Sequence, residues 1–389
     1  QQIAEAIDAV GGTLDSFAGL ESGFLSVLVT SDQLDLGLDL LSDVVLRPTF
    51  PAEELDRWRG QSLSGLSIQQ SDPGYLATAG FQRLVLGDHP YGMPSSGTVE
   101  SIQGLTRDDL AAFHQRRYIP NGSILAMVGD VKALEAFAKA ERAFGAWKKG
   151  EEAPIPEVKV TPKRRIVVID KPDAVQTEIR VGHVGLAFRD PDHATSEVYD
   201  AILGATPSSR LFEEVRQKRG LSYGANSEFR LAMQPGWFLA GTNTKTESTV
   251  EALGVVLDVL RDLNARPVPA LELAQRKTYI TGAFPLEIET PDGIAGKVLE
   301  ALKFGYGKEY LETYRSRLDA VTAEQVASFA SRRIHPDQML IVLAGNAKAF
   351  AKDLEAKLGP FETIPVSEVD LLQPDLRAKA PVVPAKTDQ

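Results

Sequence analysis

Hydrophobic positions in the first 150 residues switch between helical and strand periodicities. Apolar residues recur at helical spacing in several segments separated by Gly, Pro and Ser-Asp turns, whereas residues 13–30 alternate with the two-residue period of strands. A short continuous apolar run at 123–128 favours a buried strand. The pattern predicts helices at 3–10, 31–45, 51–70, 71–86, 106–117 and 131–147, and strands at 13–30 and 123–128.

A similar order of elements begins again after an exposed linker. Residues 150–164 contain acidic residues and several prolines, which is typical of a linker, and residues 359–389 are rich in proline and charge, which predicts an extended tail. Between them the pattern predicts strands at 165–170, 177–188 and from 222 to 244, and helices at 193–203, 208–219, 247–263, 268–283, 291–304 and 309–318.

Two stretches of the chain, 105–130 and 321–346, align without a gap. Six residues recur in one register: Thr106, Phe113, Arg116, Arg117, Pro120 and Gly129 match Thr322, Phe329, Arg332, Arg333, Pro336 and Gly345. Chance rarely gives six identities in one register. The sequence therefore predicts an α+β protein of two homologous repeats, each an antiparallel sheet with helices packed on one face. The predicted organisation is an N-terminal repeat domain at 1–149, a linker at 150–164, a C-terminal repeat domain at 165–358 and a tail at 359–389.

The repeat also indicates a block without a counterpart. Residues 3–12 correspond to 211–220, so the strands and helix predicted at 165–203 have no equivalent in the first half. We therefore expect that the sequence begins one strand-and-helix block late in the N-terminal repeat. Truncation and proteolytic nicking are both compatible with that pattern.

Composition excludes several classes of function. Lys and Arg total 42 against 53 Asp and Glu, and this net charge of -11 argues against non-specific nucleic-acid binding, which depends on cations that neutralise phosphates. The chain has no cysteine, which excludes disulfides, thiolate zinc sites and a cysteine nucleophile. No apolar run approaches the length of a membrane span.

Candidate chemistry lies in residues 208–227, S-S-R-L-F-E-E-V-R-Q-K-R-G-L-S-Y-G-A-N-S. Apolar residues fall on one side of a helix that ends near Arg219, with Gly220 at the position that favours a left-handed backbone. This geometry can bring Arg216 and Tyr223, seven residues apart, close together. A guanidinium and a phenol suit the binding of a peptide carbonyl or of the oxyanion formed from it. The alternative interpretation is a capped helix end followed by a strand tyrosine.

The stretch resembles the C-terminal-half signature of the pitrilysin/insulinase family of zinc metallopeptidases, the inverzincins. Similar motifs are A-V-G-G-T-L at 9–14, H-P-Y-G at 89–92 and S-S-R-L-F at 208–212, and the likeness covers nearly all of 1–358. In that family an Arg and a Tyr seven residues apart assist peptide binding and transition-state stabilisation. The resemblance therefore implies these roles for Arg216 and Tyr223.

The resemblance also implies a zinc site that this chain does not complete. Active members carry H-x-x-E-H, which is absent here, and the closest two histidines lie ten residues apart. The family's third ligand is the glutamate of a pattern like R-x-x-x-L-x-E, and matching Arg59 and Leu63 places Gly65 there. Glycine has no side chain to bind metal, so no cofactor is expected in this chain. Residues 15–18 also read D-S-F-A where the family's peptide-pairing edge often reads Asn-Ala-aromatic-Thr.

Two other histidines are interpreted as structural. His89, which precedes Pro90, is expected to anchor a loop. His193 and Glu197 lie one helical turn apart and are expected to form a surface contact, because two side chains make a poor zinc site.

Together these features predict a non-catalytic, substrate-binding subunit of a heterodimeric zinc metalloendopeptidase, inactive alone, that contributes Arg216 and Tyr223 to its partner's zinc site. The resemblance implies a clam-like chamber, a homologous partner that carries H-x-x-E-H and zinc, and unfolded peptides as substrates. Two alternatives remain: a structural subunit like the inactive core subunits of respiratory complexes, and a truncated, self-sufficient zinc peptidase. The absence of cysteine and the habit of the family favour a bacterial periplasm, with the cytoplasm as the alternative.

Overall fold

The order of helices and strands follows the predicted periodicity in most of the chain. The computed structural model describes residues 2–159 and 164–378, so parts of the predicted linker and tail lie outside the described residues. The first half contains α1 Gln2–Asp8, β1 Thr13–Ala18, β2 Gly23–Leu28, α2 Leu34–Leu46, α3 Ala52–Ser71, α4 Pro73–Leu86, α5 Val99–Gly104, α6 Arg107–Arg117 and α7 Ala133–Phe144. The second half contains β3 Arg165–Asp170, β4 Gln176–Val184, α8 His193–Leu203, a π-helix at Phe212–Gln217, β5 Ala225–Arg230, β6 Trp237–Lys245, α9 Thr249–Ala265, α10 Ala270–Glu287, α11 Pro291–Lys303, α12 Lys308–Glu312, α13 Tyr314–Asp319, α14 Ala323–Arg333, β7 Leu340–Gly345, α15 Ala347–Leu358 and β8 Glu362–Pro365.

The internal repeat extends to the hydrogen bonds that start equivalent helices. Thr106 begins α6 with a capping box, in which its backbone N–H donates to the Asp109 carboxylate at 2.9 Å. Thr322 begins α14 in the same way, with its N–H donating to Gln325 Oε1 at 2.8 Å. Each box satisfies two backbone donors that a helix start leaves unpaired, so the repeated threonine has a structural cause.

A second repeated contact ties the long helices α3 and α10 to these starts. Arg59 Nη2 on α3 donates to the Leu105 carbonyl at 2.8 Å, and Lys277 Nζ on α10 donates to the Val321 carbonyl at 2.9 Å. Leu105 and Val321 are equivalent residues of the sequence repeat. Arg59 and Lys277 are therefore equivalent anchors, one in each repeat.

Contacts divide the chain into two units, each built from segments of both sequence halves. The first unit contains 1–65, 98–155 and 279–317, and the second contains 66–97, 156–278 and 318–389. Helix α4 from the first half thus belongs to the second unit, and α11 from the second half belongs to the first. The domain boundaries drawn from the sequence follow the internal repeat, and they stay a prediction.

The second unit is built on a sheet with the strand order β5-β6-β4-β7-β3-β8. The pairs from β5 to β7 are antiparallel, as predicted, whereas β3 pairs in parallel with both β7 and β8. Helices cover both faces of this sheet rather than the one face predicted, because α4 from the first half packs on the face opposite α9. Thr249 of α9 bonds to Thr177 of β4 at 2.8 Å on one face. On the other face α4 packs so closely that a side chain at Gly182 would meet the ring of Phe81.

The segment after Leu358 differs from the extended tail expected from its composition. Residues 362–365 form β8, and the chain then returns so that Leu371 and Leu376 pack with Ala79 of α4, Val167 of β3 and Ile364 of β8. Arg83 of α4, almost fully buried, holds this return by donating to the Leu372 carbonyl at 2.8 Å. These contacts offset the ordering cost of a polar segment. Residues 379–389 lie outside the described residues.

The first unit contains the antiparallel hairpin β1–β2, and α11 is joined to its loop by an ion pair between Lys303 and Glu21 at 2.8 Å. The strand predicted at 123–128 is wrong, because this segment has no regular structure and most of it is exposed. Its equivalent, β7, lies between β3 and β4. The described part of the first unit supplies no counterparts of those two strands, and an unpaired strand leaves its backbone groups without ladder partners.

Equivalent apolar residues of the two repeats differ in burial, because they differ in the neighbours that the described chain provides. Phe329 of α14 is fully buried against Tyr199 of α8, whereas its equivalent Phe113 is 53% exposed. No described segment of the first unit takes the place of α8 beside α6. The burial of these repeated residues thus follows the neighbours that each has among the described residues. None of the helices in the described ranges combines the length and the apolar character required to cross a membrane.

Candidate functional site

Arg216 lies on a π-helix rather than on the α-helix predicted at 208–219. Residues Phe212–Gln217 have the wider π turn, in which the Lys218 N–H donates to the Glu213 carbonyl five residues earlier at 2.9 Å. The π-helix ends at Gln217, and Gly220, three residues later, has a φ of 62°, which confirms the predicted left-handed position. π turns are rare and occur often at functional sites. The apolar spacing of residues 208–219 does not distinguish a π turn from an α-helix.

The S-S-R-L-F motif attaches the start of this π-helix to two neighbouring helices. Arg210 is largely buried and makes a bidentate ion pair with Glu272 of α10, at 3.0 and 2.8 Å, and reaches Asp262 of α9 at 3.4 Å. Ser208 accepts from Arg276 of α10. A planar guanidinium suits this bidentate geometry, so the motif acts as a structural anchor for the segment that carries Arg216.

Three cations end the π-helix, and two of them are paired. Lys218 Nζ lies 2.9 Å from Glu213 and 2.7 Å from Glu214, and Arg219 also bonds to Glu214. These partners hold the pKa of Glu214 below its usual range and raise the pKa of Lys218. Arg216 is exposed and has no carboxylate partner within the described residues; its guanidinium lies 4.9 Å from the centre of the Phe212 ring.

Tyr223 lies in the loop between the π-helix and β5, because β5 begins at Ala225 rather than at residue 222 as predicted. Its side chain is 88% exposed. No hydrogen bond or ring contact joins Tyr223 to Arg216 in the described chain. The structure therefore places both predicted residues on one exposed segment but does not bring their side chains into contact.

A buried carboxyl that the sequence pattern did not predict lies beside β5. Asp200 on α8 accepts a hydrogen bond from Ser227 of β5. Burial raises the pKa of Asp200 to about 7, and the Ser227 bond offsets part of that increase. Burial also raises the pKa of the neighbouring Tyr199. An acidic residue on the otherwise buried face of the predicted helix at 193–203 was the signal available in the sequence.

The described residues do not fit a zinc ion. They contain no group of three or more His, Asp or Glu side chains placed to hold a metal. Gly65, at the predicted ligand position, lies in α3, and an added Cβ there would meet no atom within 4 Å. A side chain could thus occupy this position without a clash, but glycine offers no donor atom.

The two histidines interpreted as structural both contact main-chain carbonyls. His89 accepts from the Tyr91 N–H at 3.1 Å and contacts the Pro156 carbonyl at 2.9 Å, so its role as a loop anchor is confirmed. His193 does pair with Glu197, at 2.8 Å, but the expected surface contact is wrong because His193 is buried beneath Phe188.

Comparison with known proteins supports the resemblance along most of the chain. Residues 1–89 match the model of the insulinase family, peptidase family M16, and residues 104–280 match the model described as the peptidase M16 inactive domain. An uncharacterized zinc protease of Mycobacterium leprae is 30% identical over 338 residues, which cover 86% of this chain and 76% of that protein. The crystal structure of a peptidase M16 inactive domain from Pseudomonas fluorescens has a TM-score of 0.83 at 30% identity, covering 88% of this chain and 83% of that one. A Helicobacter pylori protease shares the fold with a TM-score of 0.80 at 19% identity, covering 88% and 84%. With these matches and the confirmed α+β repeat fold, the chain belongs to the insulinase family of peptidases, M16.

Proposed function

We propose that this chain is the non-catalytic, substrate-binding subunit of a heterodimeric zinc peptidase and contributes Arg216 and Tyr223 to the site of a zinc-bearing partner. Membership of the family supports a peptidase context, and the model matched by residues 104–280 is described as inactive. The proposed partner is a homologous chain that contains H-x-x-E-H. The proposed substrates are unfolded peptides, and the absence of cysteine favours the bacterial periplasm as their compartment.

The availability of Arg216 and Tyr223 carries this proposal. Lys218 and Arg219, the neighbouring cations, are held by carboxylates, whereas Arg216 has no such partner in the described chain. Tyr223 is among the most exposed large side chains, although exposing a phenol ring forgoes the free energy of burial. Two donors on an anchored segment, neither of them hydrogen-bonded to another side chain in the described chain, suit an external acceptor such as a peptide.

Each of the two side chains has a distinct proposed role. The peptide adds as a strand to an edge of the partner's sheet, which uses main-chain hydrogen bonds and so tolerates many sequences. The fixed fork of Arg216 binds backbone carbonyls of that peptide. Tyr223 donates its hydroxyl proton in a hydrogen bond to the oxyanion that forms from the scissile carbonyl. The loss of one such donor typically lowers turnover by about 10²-fold or more.

The test uses two samples: the purified chain alone, and the chain mixed with an H-x-x-E-H homologue from the same genome. Turnover of an unstructured fluorogenic peptide and bound metal are measured for both. We expect no stoichiometric zinc and no turnover for this chain alone, and turnover in the mixture that rises to a one-to-one ratio. Zinc bound by side chains of this chain, or turnover without the partner, would contradict the proposal and favour a self-sufficient peptidase. An unchanged partner activity would favour a structural subunit.

A further inference from the structure

The loop that carries Tyr223 is fastened to strand β6 by side chains. Thr244 Oγ1 donates to the Leu221 carbonyl at 2.7 Å, and Thr242 Oγ1 donates to the Gly224 carbonyl at 2.8 Å. Both threonines are buried, with 2% and 4% of their surfaces exposed. The main chain on either side of Tyr223 is therefore held, while its own side chain extends into solvent.

Asn243, a third residue of β6, also bonds to this loop. Ser222 Oγ lies 2.9 Å from Asn243 Oδ1, and it also accepts from the Gly224 N–H at 3.1 Å. The Ser222 side chain thus closes a tight turn around residue 223 and joins that turn to the strand. Thr242, Asn243 and Thr244 are consecutive, and we call these three residues the β6 clamp.

The pairing of the strands explains why side chains are needed here. The ladder between β5 and β6 ends at Ala225 opposite Thr242, whereas on its other side β6 remains paired with β4 as far as Lys245 opposite Gln176. The loop runs beside the end of β6 where β5 no longer supplies backbone partners. Side-chain hydroxyls and an amide take the place of those ladder bonds.

We propose that the β6 clamp positions the Tyr223 hydroxyl for the reaction, an inference that rests on the proposed function. A side chain that is 88% exposed gains almost no positioning from packing, so the main chain beneath it must fix its place. A catalytic donor acts only when it lies within hydrogen-bond distance of the developing oxyanion. A displacement of about 1 Å can cost on the order of 10²-fold in rate. Thr242, Asn243 and Thr244 are positioning residues and do not touch substrate.

Removal of single hydroxyls tests the clamp. Thr244→Val and Thr242→Val keep side-chain shape and delete the bond to the loop, and Thr244→Ser restores the hydroxyl. Thr249→Val is the matched control, because Thr249 is equally buried and its hydroxyl bonds to Thr177 and Thr246 rather than to the loop. The measurements are amide hydrogen exchange at residues 221–224 in the full chain and kcat and KM in the zinc-bearing complex.

We expect Thr244→Val to speed exchange in the loop by about tenfold or more and to lower kcat by roughly 10–10²-fold while KM changes little. Thr244→Ser and Thr249→Val should retain the wild-type values of both. The inference is overturned if loop exchange is unchanged, or if kcat is retained by Thr244→Val in an assay where Tyr223→Phe lowers it. If kcat is lowered neither by Thr244→Val nor by Tyr223→Phe, the proposed function fails and the positioning role fails with it.

Discussion

At the scale of single residues, Asp200 links the protonation of a buried group to stability. Its pKa, raised to about 7 by burial, exceeds the value of about 4 expected in the unfolded chain. The folded state therefore holds more protons than the unfolded state between these pH values. The contribution of Asp200 to stability is complete below about pH 4 and is lost as the pH rises through about 7.

Asp200→Asn should remove this pH dependence. We expect the free energy of unfolding of wild type, measured relative to that of the variant, to fall from pH 4 to pH 8 by on the order of a few kcal/mol at most. Urea denaturation at several pH values measures it, and contributions of other groups cancel in the comparison. Parallel curves for the two proteins would show that Asp200 is ionised at neutral pH.

Gly65 gives a second prediction at this scale. It lies inside helix α3 and a Cβ there would meet no neighbour, so Gly65→Ala should raise the free energy of unfolding by roughly 0.5–1 kcal/mol through reduced backbone entropy of the unfolded chain. Gly80→Ala in α4 is the matched control, because its Cβ would lie 3.2 Å from Leu376 and 3.3 Å from Ile169. The account is contradicted if urea denaturation shows that Gly65→Ala lowers the free energy of unfolding, or that Gly80→Ala raises it more than Gly65→Ala does.

At the scale of elements, local signals predicted most of the fold. Helix α8 has the bounds predicted from its periodicity, and Asp72 begins α4 by accepting from the Gly74 N–H at 2.9 Å. The failures arise where non-local partners decide. Residues 123–128 have strand composition but no strand neighbours in the described chain, and the π turn at Phe212–Gln217 carries no periodicity of its own that the helical pattern reveals.

The C-terminal segment is also ordered by non-local contacts that its composition does not predict, and it gives a third prediction. Arg83, whose side chain is 1% exposed, donates to the Gly87 and Leu372 carbonyls and pairs with Asp88 at 2.7 Å, so Arg83→Leu removes three bonds made by a buried charged group. We expect a loss of roughly 2–4 kcal/mol in unfolding free energy, with faster hydrogen exchange at residues 371–377. Arg47→Leu removes an exposed helix pair with Asp43 and should change stability by less than about 1 kcal/mol. Equal losses for both variants would refute the role of Arg83.

At the scale of the whole molecule, the internal repeat places equivalent anchoring side chains in the two halves of the chain. The matched anchors Arg59 and Lys277 fix equivalent helices, and Gly65 lies six residues after Arg59 in α3. The sequence alone identified the family and the repeat, and the roles of Arg216 and Tyr223 stay a prediction. It did not predict that α4 from the first half belongs to the second unit and α11 from the second half to the first. Periodicity shows which face of a helix is buried, but it does not show which element packs against that face.

The turnover of the proposed zinc-bearing complex with Tyr223→Phe tests the central claim most directly. The substitution removes one hydroxyl from a side chain that is 88% exposed, so folding should be unaffected. We expect kcat to fall by about 10²-fold with KM within about twofold, while Tyr118→Phe, a control at another exposed phenol, retains the wild-type rate. An unchanged kcat for Tyr223→Phe would contradict the account that this chain assists the reaction of its partner.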